Sequence, residues 1–331
     1  RGRSSYVEMI LRTAALEDRF LAIDQGNILF SQWPGPNAAY FYGGRFHLWL
    51  REHYGEEAVR DHHQYNASMA IPYFYWPGAR TVFGESLPTL WDRWRQEELA
   101  YAQNVRETLV ARGVTPSKPL THHGRNITGS RYSPDGRFII YSRTSPVDGS
   151  TVRRIGRNGE NDRALVLETF SPRFSFTPDS ASFFFSQSAI NERFNDFNDL
   201  YRYDIESDDT TRLRDAHAQD QSLRARDPDV SPDGKRLVFV QNRLHQTWVS
   251  IATFCGDQRE LLDVQIMIPP SGDMQHASPR FSPDGHMIAV STWFENGQRD
   301  IVMVDAQTGA PIQRLTDDRA LDTNPAFSPD G

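Results

Sequence analysis

Cysteine is almost absent from this chain: Cys255 is the only one in 331 residues. An intramolecular disulfide is therefore impossible, and a zinc site built from cysteines is excluded. No run of about 18 apolar residues occurs, which removes a membrane-spanning helix. An excess of positive charge is missing too. Lys+Arg number 36 against 43 Asp+Glu, for a formal net charge of -7, and the two signs are interspersed. The clustered basic face that a phosphate backbone requires is not there, so nucleic acid is set aside as a partner. The chain begins at Arg1 with no charged-then-apolar leader behind it, and its last five letters open a repeated phrase. Both ends are expected to be cuts, with any secretory signal upstream.

What is present is a repeat. Ser133-Pro134-Asp135-Gly136 recurs as Thr177-Pro178-Asp179-Ser180, Ser231-Pro232-Asp233-Gly234, Ser282-Pro283-Asp284-Gly285 and Ser328-Pro329-Asp330-Gly331, at spacings of 44, 54, 51 and 46 residues. A period of this size suits one four-stranded propeller blade, whereas the common helical solenoid repeats are mostly shorter. Each phrase is a turn with a mechanism. Proline presets φ at the second position, Ser or Thr bonds back to the backbone, and glycine accepts the fourth position. Thr177 and Ser180 depart from the pattern, which puts the geometry of the second turn in doubt. Four of the phrases are followed by β-branched or aromatic runs, such as Arg236-Leu237-Val238-Phe239-Val240. A second strand-like run then comes at Thr151 to Ile155, Leu200 to Ile205, Thr247 to Phe254 and Ile301 to Val304. Helix-period spacing is missing from 120 to 331, so this part is read as all-β.

The first hundred residues are different. Ser5 with Glu8 reads as a capping box, with Tyr6, Met9, Ile10 and Leu16 on one helical face. Phe46, Trp49, Leu50, His53 and Tyr54 form a second stripe, entered at Gly43-Gly44 and stopped by Gly55. Leu87, Trp91, Trp94, Tyr101, Val105 and Leu109 form a third, capped by Ser86 with Pro88 in its first turn and ending near Gly113. "MAIPYFYWPGARTVFGESLP" between them reads as a connection.

The repeat resembles the TolB-type propeller, in which "PxFSPDGxxIAFxS" opens a blade; the likeness runs from about Leu120 to Gly331 and is fullest in "DIVMVDAQTGAPIQRLTDDRALDTNPAFSPDG". The stretches "RGRSSYVEMILRTAALE", "WPGPNAAYFYGGRFHLWLREHYGEEAV" and "FGESLPTLWDRWRQ" resemble the C-terminal helical part of gluzincin-type zinc peptidases that carry such a propeller behind them. The expected fold is therefore α plus all-β: a helical segment over 1–113, as the tail of a peptidase-like domain, and an incomplete propeller of about four to five blades over 114–331, cut in its last blade. The resemblance implies a bacterial, extracytoplasmic or periplasmic protein whose propeller binds a protein or peptide, and whose whole form is a metallopeptidase. Zinc is implied only for the part upstream of Arg1. The alternatives are a non-enzymatic interaction module of TolB type, and a propeller ahead of a serine peptidase beyond Gly331.

No catalytic, cofactor or metal residue is expected within this chain. It contains neither HExxH nor a Gly-x-Ser-x-Gly elbow. His47 and His53, six apart, stand about 240° from each other on a helix and are read as ordinary helix residues. The neighbours His62-His63, and His122-His123, face different ways. Glu56-Glu57 is read as opening a new helix, where acidic side chains satisfy the dipole. The phrase aspartates are read as structural turn residues standing tens of ångströms apart around the ring. "NERFNDFNDL" is a candidate binding loop, read first as a solvated hairpin, and the triplets at Asn66 and Asn126 as chance matches to a glycosylation signal.

Overall fold

The computed structural model describes residues 4–26, 33–70, 76–123, 126–145, 149–167, 173–191, 194–217, 222–254 and 259–331. Cys255, the middle of the connection after Ala70 and residues 192–193 of the acidic stretch lie outside the described residues. The chain divides into two compact units, Arg1–Lys118 and Pro119–Gly331.

The first unit is helical: α1 (Ser5–Leu16), α2 (Ala38–Ala67), α3 (Trp76–Phe83) and α4 (Leu87–Arg112). Ser4, not Ser5, is the N-cap of α1, and it makes no side-chain capping bond, so the expected capping box is absent. The buried face is Val7, Ile10, Leu11, Ala14 and Ala15, while Tyr6 and Met9 are exposed. The neighbouring register of small and branched residues packs inward because it interlocks with the wide aromatic stripe of the other helices. Helix α2 is longer than its expected core and runs through Gly43-Gly44. The expected stop at Gly55 is a break within it, with φ 87° and ψ 162°, beyond which helix resumes. Ser86 caps α4 by accepting the Thr89 N–H at 3.4 Å, and Gly113 ends it at φ 91°. Tyr42 of α2 and Leu90 and Trp94 of α4 are fully buried in the core of the helical unit. The partly apolar connection folds into an additional helix, α3, that the loop reading missed. Buried Glu98 is satisfied by Trp94 Nε1 at 3.1 Å and Arg45 Nε at 3.0 Å.

Four antiparallel sheets follow in chain order. They are β1 (Asn126–Tyr132), β2 (Phe138–Ser145), β3 (Gly149–Gly156) and β4 (Arg163–Leu167); then β5 (Ser175–Phe176), β6 (Ser182–Asn191), β7 (Asn195–Asp204) and β8 (Asp209–Arg212). After the short β9 (Arg214–Asp215) come β10 (Ala225–Val230), β11 (Arg236–Arg243), β12 (Gln246–Phe254) and β13 (Glu260–Ile268); then β14 (Gln275–Phe281), β15 (Met287–Trp293), β16 (Arg299–Asp305) and β17 (Pro311–Arg314). Each sheet contains a four-stranded antiparallel meander, that is, a propeller blade, and the third carries β9 as a fifth strand. β9 leaves the second blade and pairs in parallel with β13, lacing it to the third. The architecture is the expected α plus all-β arrangement with an incomplete propeller: four blades and the opening turn of a fifth. The acidic stretch is the end of the β6–β7 hairpin.

The second strand of every blade is buried on both faces, and this explains its unbroken apolar text. Phe138 and Ile140 of β2 pack with Phe183, Phe185 and Tyr203 of the second blade. Phe184, between them in sequence, faces the other way and packs with Leu237, Phe239 and Phe254 of the third. Val238 in turn meets Ile288 and Val290 of the fourth. Alternate residues of one strand thus belong to two different cores. Behind them, a buried ion pair ties the third strand to the fourth in two blades, Asp199–Arg212 and Asp300–Arg314, with both aspartates fully buried.

Replacing Phe184 by Ala empties a fully buried site whose ring lies 5.0 Å from that of Phe254. A loss of about 3–5 kcal/mol in urea unfolding is expected. Phe194→Ala, at a residue 91% exposed, should leave the midpoint unchanged.

Candidate functional site

Four of the five repeat phrases build the same knot of hydrogen bonds. In the third blade the Gly234 N–H donates to the Ser231 carbonyl at 2.8 Å and closes the turn. The buried Ser231 Oγ accepts the Arg236 N–H at 2.9 Å and donates to Asp233, whose Oδ1 also accepts the Lys235 N–H at 3.1 Å. Ser133 with Asp135, Thr177 with Asp179, and Ser282 with Asp284 repeat this pattern. The hydroxyl and backbone donors hold all four carboxyls below the ordinary range, Asp135 at about 2. The fifth, Asp330, is lowered by the Ser328 hydroxyl. The departure in the second copy leaves the turn intact. Ser180 adopts φ 63°, donates its N–H to Thr177 at 2.9 Å, and accepts the Asp135 N–H on its hydroxyl at 3.1 Å, joining two neighbouring turns.

The turns are not dispersed around the rim. Pro134, Pro178, Pro232, Pro283 and Pro329 all line one cavity of about 520 Å³, and Gly234 and Gly285 abut Pro178 and Pro232 of the preceding blades. The expected separation of tens of ångströms fails because each turn joins the innermost strand of a blade to the second, which places it at the hub. A Cβ at Gly285, where φ is 73°, would meet Pro232 at 3.4 Å.

Two residues before the Ser or Thr of each phrase, the chain contributes Arg131, Ser175, Asp229, Arg280 and Ala326 to the cavity wall. Asp229 gathers this layer: Oδ1 accepts from Ser175 Oγ at 2.9 Å and Arg280 Nη1 at 2.7 Å, and Oδ2 accepts the Phe281 N–H at 2.8 Å. Two residues further back lies a second layer. Arg173 Nε is 3.8 Å from Asp227 Oδ1, and Arg173 also donates to Asn324; Ser278 donates its N–H to Asp227 at 3.0 Å and its hydroxyl to Asn324 at 3.4 Å. Arg226 pairs with Asp227 at 2.6 Å, and Arg299 donates to Ser291 at 3.0 Å. Burial lowers the guanidinium pKa of Arg131, Arg173 and Arg299, and neighbouring guanidiniums add to the effect.

Bulges aim these side chains. The innermost strands lose register between Thr128 and Arg131, Arg226 and Asp229, and Ala277 and Arg280. At these places sit residues with left-handed backbone, Gly129 at φ 65°, Asp227 at 55° and Ser278 at 53°, and Asn324 at 60° holds the equivalent place before the fifth phrase. Reading the sequence by its turns passed over this layer entirely. The available signal was the column four residues before each Ser, reading Gly, Asp, Ser, Asn, of which Gly, Asp and Asn are the residues that best tolerate that backbone.

The histidines give a further correction. His47, His62 and His63, read as unrelated, line one cavity of about 680 Å³ in the helical unit with Phe46, Leu50 and Trp91. The break at Gly55 lets the two halves of α2 bring His47 and His63 into a parallel stack, 5.3 Å between centroids and 6° between planes. Burial holds His62 down at about 4, helped by its two imidazole neighbours. Stacked rings do not converge their lone pairs, and His47 Nδ1 is engaged with the Gly43 carbonyl at 2.8 Å. Among the described residues no group of three or more His, Cys, Asp or Glu side chains is placed to hold a metal, so this cluster does not fit zinc. His53 leans on Trp49 and bonds its carbonyl at 2.9 Å. His123 belongs to a cluster with Asp162 and Tyr141 in the first blade.

No protein-family description matches the chain, and no curated protein does. Among solved structures, TolB from Acinetobacter baumannii is similar at 21% identity, covering 65% of this chain and 49% of that one, with a TM-score of 0.51. A putative TolB from Agrobacterium tumefaciens is similar at 17% identity over 60% of this chain and 83% of that one, with a TM-score of 0.41. Dipeptidyl peptidase 4 from Porphyromonas gingivalis is similar at 13% identity over 62% and 35%, also with a TM-score of 0.41. The Acinetobacter likeness is one of fold, a TolB-type propeller, and the chain spans about half the length of that structure.

The turn carboxyls generate an acid dependence. Their folded pKa values lie below the unfolded value of about 3.9, so their stabilisation is present above that pH and is lost as pH falls through the folded values, toward about 2 for Asp135. The thermal midpoint should fall below about pH 4, and Asp233→Asn should make that fall shallower. An unchanged acid slope in the variant would remove the turns as its source.

Proposed function

We propose that this chain is part of a bacterial extracytoplasmic protein in which the propeller binds a protein or peptide at its hub, while the helical unit is the non-catalytic tail of a zinc-peptidase-like domain. The observation that carries the reading is the hub cavity. Its volume, about 520 Å³, falls in the range of small-ligand sites, about 300–1,000 Å³. Five prolines together with Phe174, Phe176, Phe281 and Phe327 make an apolar rim, inside which a few polar groups converge. An extended peptide suits such a rim, because rigid aromatic and proline surfaces are buried with little loss of conformational freedom. The peptidase part rests on the sequence resemblance of the helical unit. No helix among the described residues is long and apolar enough to cross a membrane, which is compatible with an extracytoplasmic protein.

Panning a random peptide library against the chain should enrich peptides that bind with dissociation constants near the micromolar range, about -8 kcal/mol. A Ser175→Trp variant that fills the hub should lose them. Enriched peptides that bind this variant equally well would place the site elsewhere. Added Zn²⁺ should produce no chelator-sensitive peptide hydrolysis, and turnover would overturn the assignment of catalysis to the upstream part.

A further inference from the structure

The hub carries more positive charge than it neutralises. Five guanidiniums, those of Arg131, Arg173, Arg226, Arg280 and Arg299, influence one another there, and the carboxylates that act on them are Asp227 and Asp229. The two aspartates are already engaged. Asp229 serves Arg280, Ser175 and the Phe281 N–H, and Asp227 serves Arg226, Arg173 and the Ser278 N–H. The Arg131 side chain makes no hydrogen bond or ion pair with any described residue, and it stands in the wall of the cavity beside Tyr132 and Pro134. Like charges drawn together with partial loss of water are costly unless an anion joins them. The chain as a whole is acidic, at -7, so this local excess runs against the overall balance.

Resting on the reading of the hub as a peptide site, we infer that what it takes is an acidic peptide whose carboxylates reach the hub guanidiniums, with Arg131 as the principal unpaired donor. A guanidinium presents a planar fork that matches a carboxylate, and the bond strengthens where water is thinned. A long polyanion is disfavoured, because the net negative chain repels it everywhere except at this narrow mouth. The apolar rim takes the peptide backbone and side chains, and the arginines select for charge. Order along the axis follows from strand position: Arg131 and Arg280 adjoin the turns, Arg173 lies one layer in, and Arg226 and Arg299 lie toward the opposite strand ends. Of these, Arg131 and Arg280 line the cavity itself, and Arg280 is held by Asp229, which leaves Arg131 as the guanidinium open to a carboxylate there.

The test uses the full chain and three fluorescein-labelled hexapeptides followed by anisotropy. One alternates Gly and Glu and ends in an amide, one is all Gly with a free C-terminal carboxylate, and one alternates Gly and Gln and ends in an amide. The Glu peptide should bind at least about tenfold more tightly than the Gln peptide, as expected for one or more charge-assisted bonds, and should weaken between about 50 mM and about 200 mM salt. Binding of the free-terminus peptide in preference to the Glu peptide would assign the site to a chain end; the reverse assigns it to acidic side chains. Arg131→Gln should weaken the acidic peptides about tenfold with the thermal midpoint unchanged, and Arg131→Lys should restore part of the loss. Equal binding of the Glu and Gln peptides, or an affinity indifferent to Arg131→Gln, overturns the anion assignment and leaves peptide binding standing. No binding by any peptide overturns both.

Discussion

Burial of one strand on both of its faces is the constraint on which the all-β unit depends. Phe184 faces the third blade while Phe183 and Phe185 face the first, and Phe239 and Val238 divide in the same way. No single blade can satisfy such a strand, because one face would remain in water. At roughly 25 cal/mol per Å² of apolar area, the missing neighbour would cost several kcal/mol per blade. Blades therefore stack in sequence order, and stacking forces the innermost strands to face a common hub.

The turns follow from this. Each must return the chain from the hub within four residues, and it does so with a buried hydroxyl, a carboxylate and a left-handed fourth residue. At Ser180 that residue is not glycine, and its hydroxyl gains the Asp135 N–H of the neighbouring turn. The constant letters of the phrase build the ring. The variable letter two places earlier, Arg131, Ser175, Asp229, Arg280 or Ala326, faces what the ring encloses. Those positions are not themselves members of the apolar cores between blades, although their strand neighbours Val230 and Phe281 are.

Legibility differed between the two units for a physical reason. Strands after the turns were readable because a period of two and a fixed turn are local properties, and β2, β6, β11 and β15 lie where the apolar runs stand. In the helical unit the stripes at Phe46, Trp49 and Leu50, and at Trp91 and Trp94, were also readable, but the far end of the third stripe was not: Tyr101 and Leu109 are exposed, while Leu90, outside the expected stripe, is fully buried. The face of α1 was readable only in part: Ile10 is buried and Leu16 packs against the core as expected, whereas Tyr6 and Met9 are exposed, and packing against the other helices selects between neighbouring registers. α3 was read as a loop because its Pro77 and Gly78 resemble turn text. Proline at the second position of a helix costs nothing there, as its missing N–H has no partner to lose.

From the residues alone came the repeat, its period, the identity of the turns and the apolar runs, all of which depend on contacts within a few positions along the chain. The chain of letters also excluded a disulfide and a basic face, since these are matters of composition. Only the tertiary structure decided that five turns share one mouth, that Arg131, Arg173 and Arg280 gather around two aspartates, and that His47 and His63 stack across the break at Gly55. Those pairings join residues from 16 positions apart, His47 and His63, to well over a hundred, Arg131 and Arg280. The register of bulges and the angle of a helix break determine them, and neither leaves a period in the sequence.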